Sequence, residues 1–320
     1  TKPRVTHILP RGDWLDESGP VVQSAIPEFM GSLASEKRLT RLDLANWLMD
    51  ADKGAGKLTA RVLANRLWYL LFGQGLAPDL TDFGGQGQPP RHPELLDNLS
   101  ISLIEKNWRI KALLKEIVLS RTYRQTSSNS GKKISFQTSY RLPAETIRDN
   151  ALAISGLLVR EVGGASIKPY QPAGYYRHLN FPTRKYGHHK DQRQWRRGVY
   201  VHWQRQFLHP MLKAFDAPRR EECTAQRPSS NTPLAALVLL NDPTFVEAAQ
   251  SLAKRILTGG GTAIDSRLDF AFREAVSRKP DAFERNILKK LLTSQKTTED
   301  AAWTTVARGI LNLAETNLRR

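Results

Sequence analysis

Residues 58–73, Leu58-Thr-Ala-Arg-Val-Leu-Ala-Asn-Arg-Leu-Trp-Tyr-Leu-Leu-Phe-Gly73, carry the pattern that decides the fold class. Their apolar side chains recur at the 3.6-residue period of an amphipathic helix, namely at Val62, Leu63, Leu67, Leu70 and Leu71. We expect Thr59 to cap this helix at its start and Gly73 to end it.

Similar helical patterns extend in both directions from this segment. They cover residues 39–48, 93–104, 110–118, 143–158, 233–241, 243–257, 266–277, 282–292 and 298–317. The strand signal is thin: Val199, Val201 and Trp203 alternate with polar or aromatic residues, although the same stretch would also tolerate a helix. The sequence therefore predicts a mainly α, multi-helix globular domain with an irregular insertion that could hold a small β element.

Composition divides the chain into four segments. Residues 1–34 are rich in Pro and Gly and are predicted to form an extended arm. An N-terminal helical half (35–158), a basic aromatic region (159–230) and a C-terminal helical half (231–320) follow, and we expect all four to form one compact domain. The polar tract 126–135 is predicted to be an exposed loop.

Charge restricts the partners without choosing among them. The 320-residue chain carries a net charge of +17, which suits nucleic acid, an anionic membrane surface or an acidic polysaccharide. No window reaches the roughly 18 apolar residues of a membrane span, and the first residues lack the apolar core of a signal peptide. Because the sequence opens on an extended segment without an initiator Met, we interpret it as part of a longer chain.

Cys223 is the only cysteine, so an intrachain disulfide and a cysteine zinc cluster are excluded. Since no neighbouring motif marks a nucleophile, we expect it to be a small buried hydrophobic residue. The sequence also lacks Cys-Xaa-Xaa-Cys-His, the attachment signal of c-type haem. No cofactor is therefore predicted within this chain.

The basic aromatic region is the strongest candidate for a binding surface. Residues 160–227 hold 14 Lys and Arg against 5 Asp and Glu, with ten aromatic residues and five histidines among them. Arginine captures oxyanions through two parallel hydrogen bonds, and aromatic rings offer stacking platforms. We predict that the ligand is bound by Arg196, Arg197, Tyr200, Trp203, Arg205 and Arg227. The alternative is that the aromatic residues are core and the cations solvate that core.

Other candidate sites are weaker. His92, at a predicted helix start, could act as an acid or base with Asp82 nearby, or both could cap and fix a loop. His188, His189 and Asp191 are metal-ligand residue types, but their spacing is not that of a metal motif, and no metal site is predicted. Residues 84–87, Gly-Gly-Gln-Gly, lack a phosphate-binding fingerprint, so we interpret them as a turn.

Several ordered blocks together resemble a known family. They include residues 58–76, the stretch Asp82-Phe-Gly-Gly-Gln-Gly-Gln-Pro-Pro-Arg-His-Pro-Glu-Leu-Leu-Asp97, Ala144-Glu-Thr-Ile-Arg-Asp149, Lys168-Pro-Tyr-Gln-Pro-Ala-Gly174, Phe215-Asp-Ala-Pro218 and Thr232 to Pro243. The chain is similar to the C-terminal domain of unknown function of large planctomycete-type proteins, which often also carry a planctomycete-type cytochrome c domain. It departs from the commoner pattern at Arg219 and Gln226.

The resemblance implies a module of a larger, extracytoplasmic protein whose partners are its own upstream domains, with haem confined to a separate cytochrome c domain. It carries no catalytic assignment. It does mark matched positions as important: Arg66, Asp82, His92, Arg148, Arg197, Asp216, Cys223 and Arg227.

Three functions fit these observations. The leading hypothesis is an accessory module that binds an anionic glycan or a partner domain through its basic aromatic surface. The second is a saccharide-active hydrolase or redox-linked enzyme that uses His92 and Asp82. The third, non-specific nucleic-acid binding, fits the charge but lacks a recognition motif and ranks last.

Overall fold

In a computed structural model, the chain is mainly helical, as predicted. The structure describes residues 3–11, 13–33, 35–125, 139–179, 183–204, 207–294 and 296–319. These residues form twelve α-helices and two short two-stranded sheets. None of the helices described is long and apolar enough to cross a membrane. The tract 126–135, predicted to be an exposed loop, lies outside the described residues.

The described residues group into two compact units, one ending at residue 125 and the other beginning at residue 139. In the first unit, strands β1 (Thr6–His7) and β2 (Val21–Val22) form a short antiparallel pair within the arm. Four helices follow: α1 (Arg41–Met49), α2 (Gly56–Phe72), α3 (Pro93–Glu105) and α4 (Ile110–Leu119). The apolar faces of the last three enclose one core, which includes Leu67, Leu96, Leu103 and Leu113.

Helix α2 is the helix predicted from residues 58–73, with an earlier start. It begins at Gly56, and the hydroxyl of Thr59 donates to the carbonyl of Ala55 at 3.2 Å. Thr59 therefore lies in the first turn, and its prediction as the cap was wrong. Gly73 ends the helix as expected, with a φ of 76° that glycine adopts without steric cost.

The linkage between α2 and α3 is held by polar contacts. The buried amide of Asn65 donates to the carbonyl of Ala77 at 3.0 Å and accepts from its N–H at 2.9 Å. Further along, a Cβ at Gly87 would lie 2.2 Å from the carbonyl oxygen of Asp82, so only glycine fits there. The glycine cluster at 84–87 thus has a turn-forming role, consistent with its interpretation as a turn.

The second unit is built around helix α8. Its elements are β3 (Tyr140–Arg141), α5 (Ala144–Ser155), α6 (Pro210–Ala214), α7 (Pro233–Asn241), α8 (Pro243–Gly259), α9 (Ile264–Val276), α10 (Ala282–Ser294), α11 (Glu299–Leu311), α12 (Ala314–Asn317) and β4 (Leu318–Arg319). Helix α8 packs against α5 on one side and α11 on another. The predicted corner between α7 and α8 is present, with Asp242 accepting the N–H of Thr244 at 2.9 Å as the cap of α8.

Three details differ from the sequence-based expectation. Helix α5, which was grouped with the N-terminal helices, packs in the second unit against α8. The single helix expected over residues 298–317 is divided into α11 and α12. Residues 198–200 form one 3-10 turn, and Val201 makes an isolated bridge to Ile167, so the alternating stretch is neither a strand nor an α-helix.

Candidate functional site

Helix α5 organises the basic aromatic region through its charged residues. The side chain of Arg148 is fully buried, and it donates to the carbonyl of Arg196 at 2.7 Å and to the carbonyl of Gln194. Burial lowers the pKa of Arg148, while the carboxylate of Asp149, 3.5 Å away, opposes that effect. Asp149 in turn accepts the N–H of Gly198 at 2.6 Å. One turn of α5 therefore fixes residues 194–198.

Arg196 is buried and holds a neighbouring loop. Its guanidinium donates to the carbonyl of Ala165 at 3.1 Å and to that of Gly163, and it lies 4.2 Å from the ring of Tyr200. The hydroxyl of Tyr200 accepts the N–H of Gly163 at 2.8 Å, and this hydrogen bond lowers the pKa of the phenol. Arg196 was predicted to face a ligand. Its guanidinium instead donates to the carbonyls of Gly163 and Ala165 in this loop.

The remaining predicted binding residues differ in accessibility. Arg197 is half-buried, with its guanidinium 5.6 Å from the ring of Tyr200. Trp203 is also half-buried, and the guanidinium of Arg220 covers one face of the indole at 3.9 Å. Arg205 lies outside the described residues. Trp203 therefore serves as a platform for an arginine of its own chain.

Residues 217–229, here called the cationic loop, are closed by a polar clamp at their two ends. The carboxylate of Asp216 accepts the N–H of Ser230 at 2.7 Å and the Nη2 of Arg141 at 2.5 Å. Burial would raise the pKa of Asp216, but these hydrogen bonds outweigh it, and the pKa is lowered. Asp216 thus remains an anion that anchors the loop.

A second contact ties the cationic loop to α5. Arg227 pairs with Glu145 at 2.7 Å, with 40% of the arginine side chain exposed. Cys223, on the same loop, is exposed, so the prediction of a buried hydrophobic residue was wrong. Few apolar side chains lie on this loop, so the loop forms no hydrophobic cluster in which the thiol could be buried.

Two adjoining clefts lie beside the cationic loop. The larger, the loop cleft, has a volume of about 630 Å³ and is lined by Tyr175, Leu208, Lys213 and residues between 216 and 228. The smaller, the turn cleft, has a volume of about 510 Å³ and is lined by residues 172–175, Arg177, His178, Phe207 and Lys213. Tyr175 and Lys213 line both. The hydroxyl of Tyr175 donates to the carbonyl of Leu208 at 2.9 Å, which fixes this shared wall.

The two clefts differ in charge. The described lining of the turn cleft carries two cations, Arg177 and Lys213, and no acidic residue; His178 also lies there, and its Nε2 accepts from the Nε of Arg177 at 3.0 Å. The loop cleft carries Lys213, Arg219 and Arg220 together with three carboxylates, at Asp216, Glu221 and Glu222. The Asp216 carboxylate is already neutralised by Arg141. The turn cleft is therefore the more cationic, and the loop cleft is more balanced.

His188, His189 and Asp191, which are metal-ligand residue types, each make a contact with another residue. The Nδ1 atom of His189 accepts the N–H of Lys168 at 3.1 Å, and the ring of His188 lies edge-on to Tyr170 at 5.8 Å. Asp191 pairs with Arg193 at 2.7 Å, and hydrogen bonds from Arg193 lower the pKa of that carboxyl to about 2. Each side chain is thus directed to a different contact.

His209 is a polar residue in the interior that the sequence did not single out. It is 2% exposed, and its Nε2 donates to the carbonyl of Tyr170 at 2.8 Å. Burial lowers the pKa of the imidazole to about 4. His209 is therefore neutral at physiological pH and supports the segment that leads into α6.

His92 and Asp82, the catalytic candidates, belong to the first unit. Exposed His92 occupies the cap position of α3 without a capping hydrogen bond from its side chain. Asp82 accepts the N–H of Gly84 at 2.9 Å. Among the described residues, no hydrogen bond joins these two side chains. An acid–base role for them stays a prediction.

Sequence reasoning identified residues 160–227 as a candidate region but did not identify the full set of residues that line the clefts. Tyr175 and Lys213 were counted in the charge and aromatic content of residues 160–227, but neither stood in a distinctive pattern. The pair Arg219-Arg220 belongs to the basic residues that the sequence singles out, but nothing in the sequence shows that Arg220 stacks on Trp203. The nearest signal was the block of residues 215–218, which immediately precedes the arginines of the cationic loop.

Comparison with known proteins gives one match. A family model described as PSD1, protein of unknown function (DUF1553), matches residues 40–292. No curated protein and no solved structure matches the chain. The matched residues make up well over half of the chain and include helices α1 to α9 and most of α10. The chain therefore belongs to this family, a conclusion that confirms the predicted membership in a family of unknown function.

Proposed function

We propose that the second unit is a binding module for an anionic polysaccharide, which lies along the turn cleft and the loop cleft. One observation carries the proposal most directly: the turn cleft presents the cations Arg177 and Lys213 beside two aromatic rings, with no carboxylate in its described lining. Cations attract the acidic groups of such a glycan, and aromatic rings pack against sugar faces.

The arrangement of the shared wall supports an extended ligand. Tyr175 and Lys213 line both clefts, so a chain of several sugars would contact the same tyrosine and lysine while occupying either side. Tyr175 packs edge-on against Phe207 at 6.0 Å, which limits movement of its ring. Because these protein side chains are already ordered, they lose less conformational entropy when a glycan binds.

The predicted binding residues take different roles in this proposal. Arg196 and Tyr200 hold the loop at residues 163–165, and Arg227 ties the cationic loop to α5. In this proposal all three have structural roles, and of the three only Arg227 holds a segment that lines a cleft. An extracytoplasmic location, and upstream domains of a longer protein as further partners, are part of the same proposal and rest on the family resemblance.

The test is a binding titration with dextran sulfate and with dextran, which share one backbone and differ in charge. The chain should bind the sulfated polymer and leave the neutral one unbound. Binding should weaken between about 0.05 and 0.5 M NaCl, because salt screens exposed charges. Equal affinity for both polymers would overturn the proposal.

A matched pair of variants tests whether the polysaccharide binds at the two clefts. Lys213→Ala removes a cation from both clefts, and Lys254→Ala removes an exposed lysine from α8. The two variants have the same net charge. We expect only Lys213→Ala to weaken binding. If the two variants lose affinity equally, binding reflects overall charge and the clefts are not the site.

A further inference from the structure

Arg220 stands out among the cations of the cationic loop, because it is held in place and yet unpaired. Its guanidinium lies 3.9 Å above the ring of Trp203, which packs against the hydrophobic core of the second unit. Within the part of the chain that the structure describes, Arg220 makes no hydrogen bond or ion pair. Stacking covers one face of the guanidinium and leaves the N–H groups, which point outward in its plane, available.

Three other arginines of this unit are already engaged, whereas exposed Arg219, among the described residues, has no aromatic ring to hold its guanidinium in place. Arg141 is bound by Asp216, and Arg227 is bound by Glu145. Arg196 is buried against loop carbonyls. Arg220 therefore offers to the loop cleft an oriented set of donors that none of the described residues uses. A stacked guanidinium loses less conformational freedom on binding than a free side chain does.

The backbone is also unusual at Arg220 itself and at Asp216, the residue that precedes the cationic loop. Asp216 has a φ of 59° and Arg220 a φ of 62°, a left-handed conformation that is sterically unfavourable for residues other than glycine. The hydrogen bonds of Asp216 to Ser230 and Arg141 hold the first of these residues. Strained residues of this kind are concentrated at ligand-binding sites.

The charge of the loop cleft narrows the type of ligand. Glu221 and Glu222 line it together with Arg219 and Arg220, so long-range attraction for a polyanion is weak there. Binding must then depend on direct contact with one anionic group. A planar guanidinium fork suits a group with two coplanar or near-coplanar oxygens, that is, a carboxylate or a sulfate.

We propose that Arg220, supported on the Trp203 ring, is the residue that captures an individual carboxylate or sulfate group of the bound glycan by two parallel hydrogen bonds. This inference rests on the proposed function and adds the residue that selects acidic sugars. The cations of the turn cleft then supply the general electrostatic attraction for the glycan, and Arg220 binds one acidic group at a defined position along the glycan.

The test compares Arg220→Lys with Arg219→Lys. Both substitutions keep the charge of the same cleft, but only the first removes the stacked, planar fork. Affinity is measured for oligogalacturonate, for its neutral methyl ester, for dextran sulfate and for dextran. We expect Arg220→Lys to lose about tenfold in affinity for the preferred anion, and Arg219→Lys to lose less than about twofold.

The outcomes separate the two proposals. If the unsubstituted chain binds neither anionic polymer, the proposed function itself fails. If it binds one of them and Arg220→Lys binds equally well, the proposed function stands and the role of Arg220 is overturned. A loss confined to oligogalacturonate identifies the captured group as a carboxylate, and a loss confined to dextran sulfate identifies it as a sulfate. Arg220 is exposed, so neither substitution disturbs the core.

Discussion

Replacing Arg148 with alanine should destabilise the second unit strongly. The guanidinium is fully buried, and it donates to the carbonyls of Gln194 and Arg196. Alanine would leave both carbonyls without that donor in the interior. It would also leave the carboxylate of Asp149 without the cation that lies 3.5 Å from it.

The size of the effect follows from these contacts. A hydrogen bond to a charged group contributes about 1.5–3 kcal/mol, so the two together contribute roughly 3–6 kcal/mol. Domains of ordinary size have a free energy of unfolding of about 5–15 kcal/mol. Arg148→Ala should therefore remove a large part of the stability. Arg148→Lys keeps the charge but has one nitrogen in place of the two that donate to the carbonyls, and it should remove about half as much.

The assay is urea unfolding of the full chain, followed by tryptophan fluorescence and circular dichroism. Hydrogen exchange at residues 194–200 locates the effect, because the N–H of Gly198 is held by the neighbouring Asp149. The control is Arg193→Ala, which removes an exposed arginine paired with exposed Asp191. Solvent screens such a pair, so the control should change the stability very little.

Two results would refute this reasoning. An Arg148→Ala protein that unfolds within about 1 kcal/mol of the unsubstituted chain would show that the carbonyls find other partners. Equal losses from Arg148→Ala and Arg193→Ala would show that total charge, and not the buried hydrogen bonds, determines the stability.

Two further predictions concern the second unit. As the pH falls from about 6.5 towards 4, His209 becomes protonated in the unfolded chain. In the folded chain it stays neutral over most of this range, because burial lowers the pKa of its imidazole to about 4. The free energy of unfolding should then drop by roughly 3 kcal/mol, and His209→Gln should flatten that part of the stability profile; an unchanged profile would contradict the assignment. Arg278 donates to Glu284 at 2.6 Å and to Glu315 at 2.6 Å, and with 37% of its side chain exposed the pairs should contribute about 1 kcal/mol after solvent screening. Thermal unfolding of Arg278→Ala should show this loss in low salt and a smaller one in about 1 M NaCl, whereas a loss independent of salt would argue for a packing effect.

The helices could be predicted because their signals are local. Apolar spacing and end residues determine α2 and α8, and the Asp242–Pro243 corner is present as expected. The five-residue α6 was missed because a helix of one turn carries too little periodicity to detect. The division between α11 and α12 at residues 312–313 likewise depends on packing that no local pattern shows.

The candidate site could be located only as a region. Arg196 and Arg197 are adjacent and chemically identical, yet one is buried and the other is half-exposed. The difference arises from the carbonyls of Gly163 and Ala165, which lie more than thirty residues earlier in the sequence. Composition identifies a basic surface, but long-range contacts decide which cations remain available to a ligand.

The double attachment of the cationic loop has a consequence for how this module can diversify. Its ends are joined by Asp216 and Ser230, and Arg227 fastens it to Glu145 on α5. Most of the positions between these attachments are exposed and contribute nothing to the helical core. The segment can therefore accept new residues at low cost in stability. Under the proposed function, exchange of the exposed residues between these attachments would change which ligand the module prefers and leave the scaffold as it is.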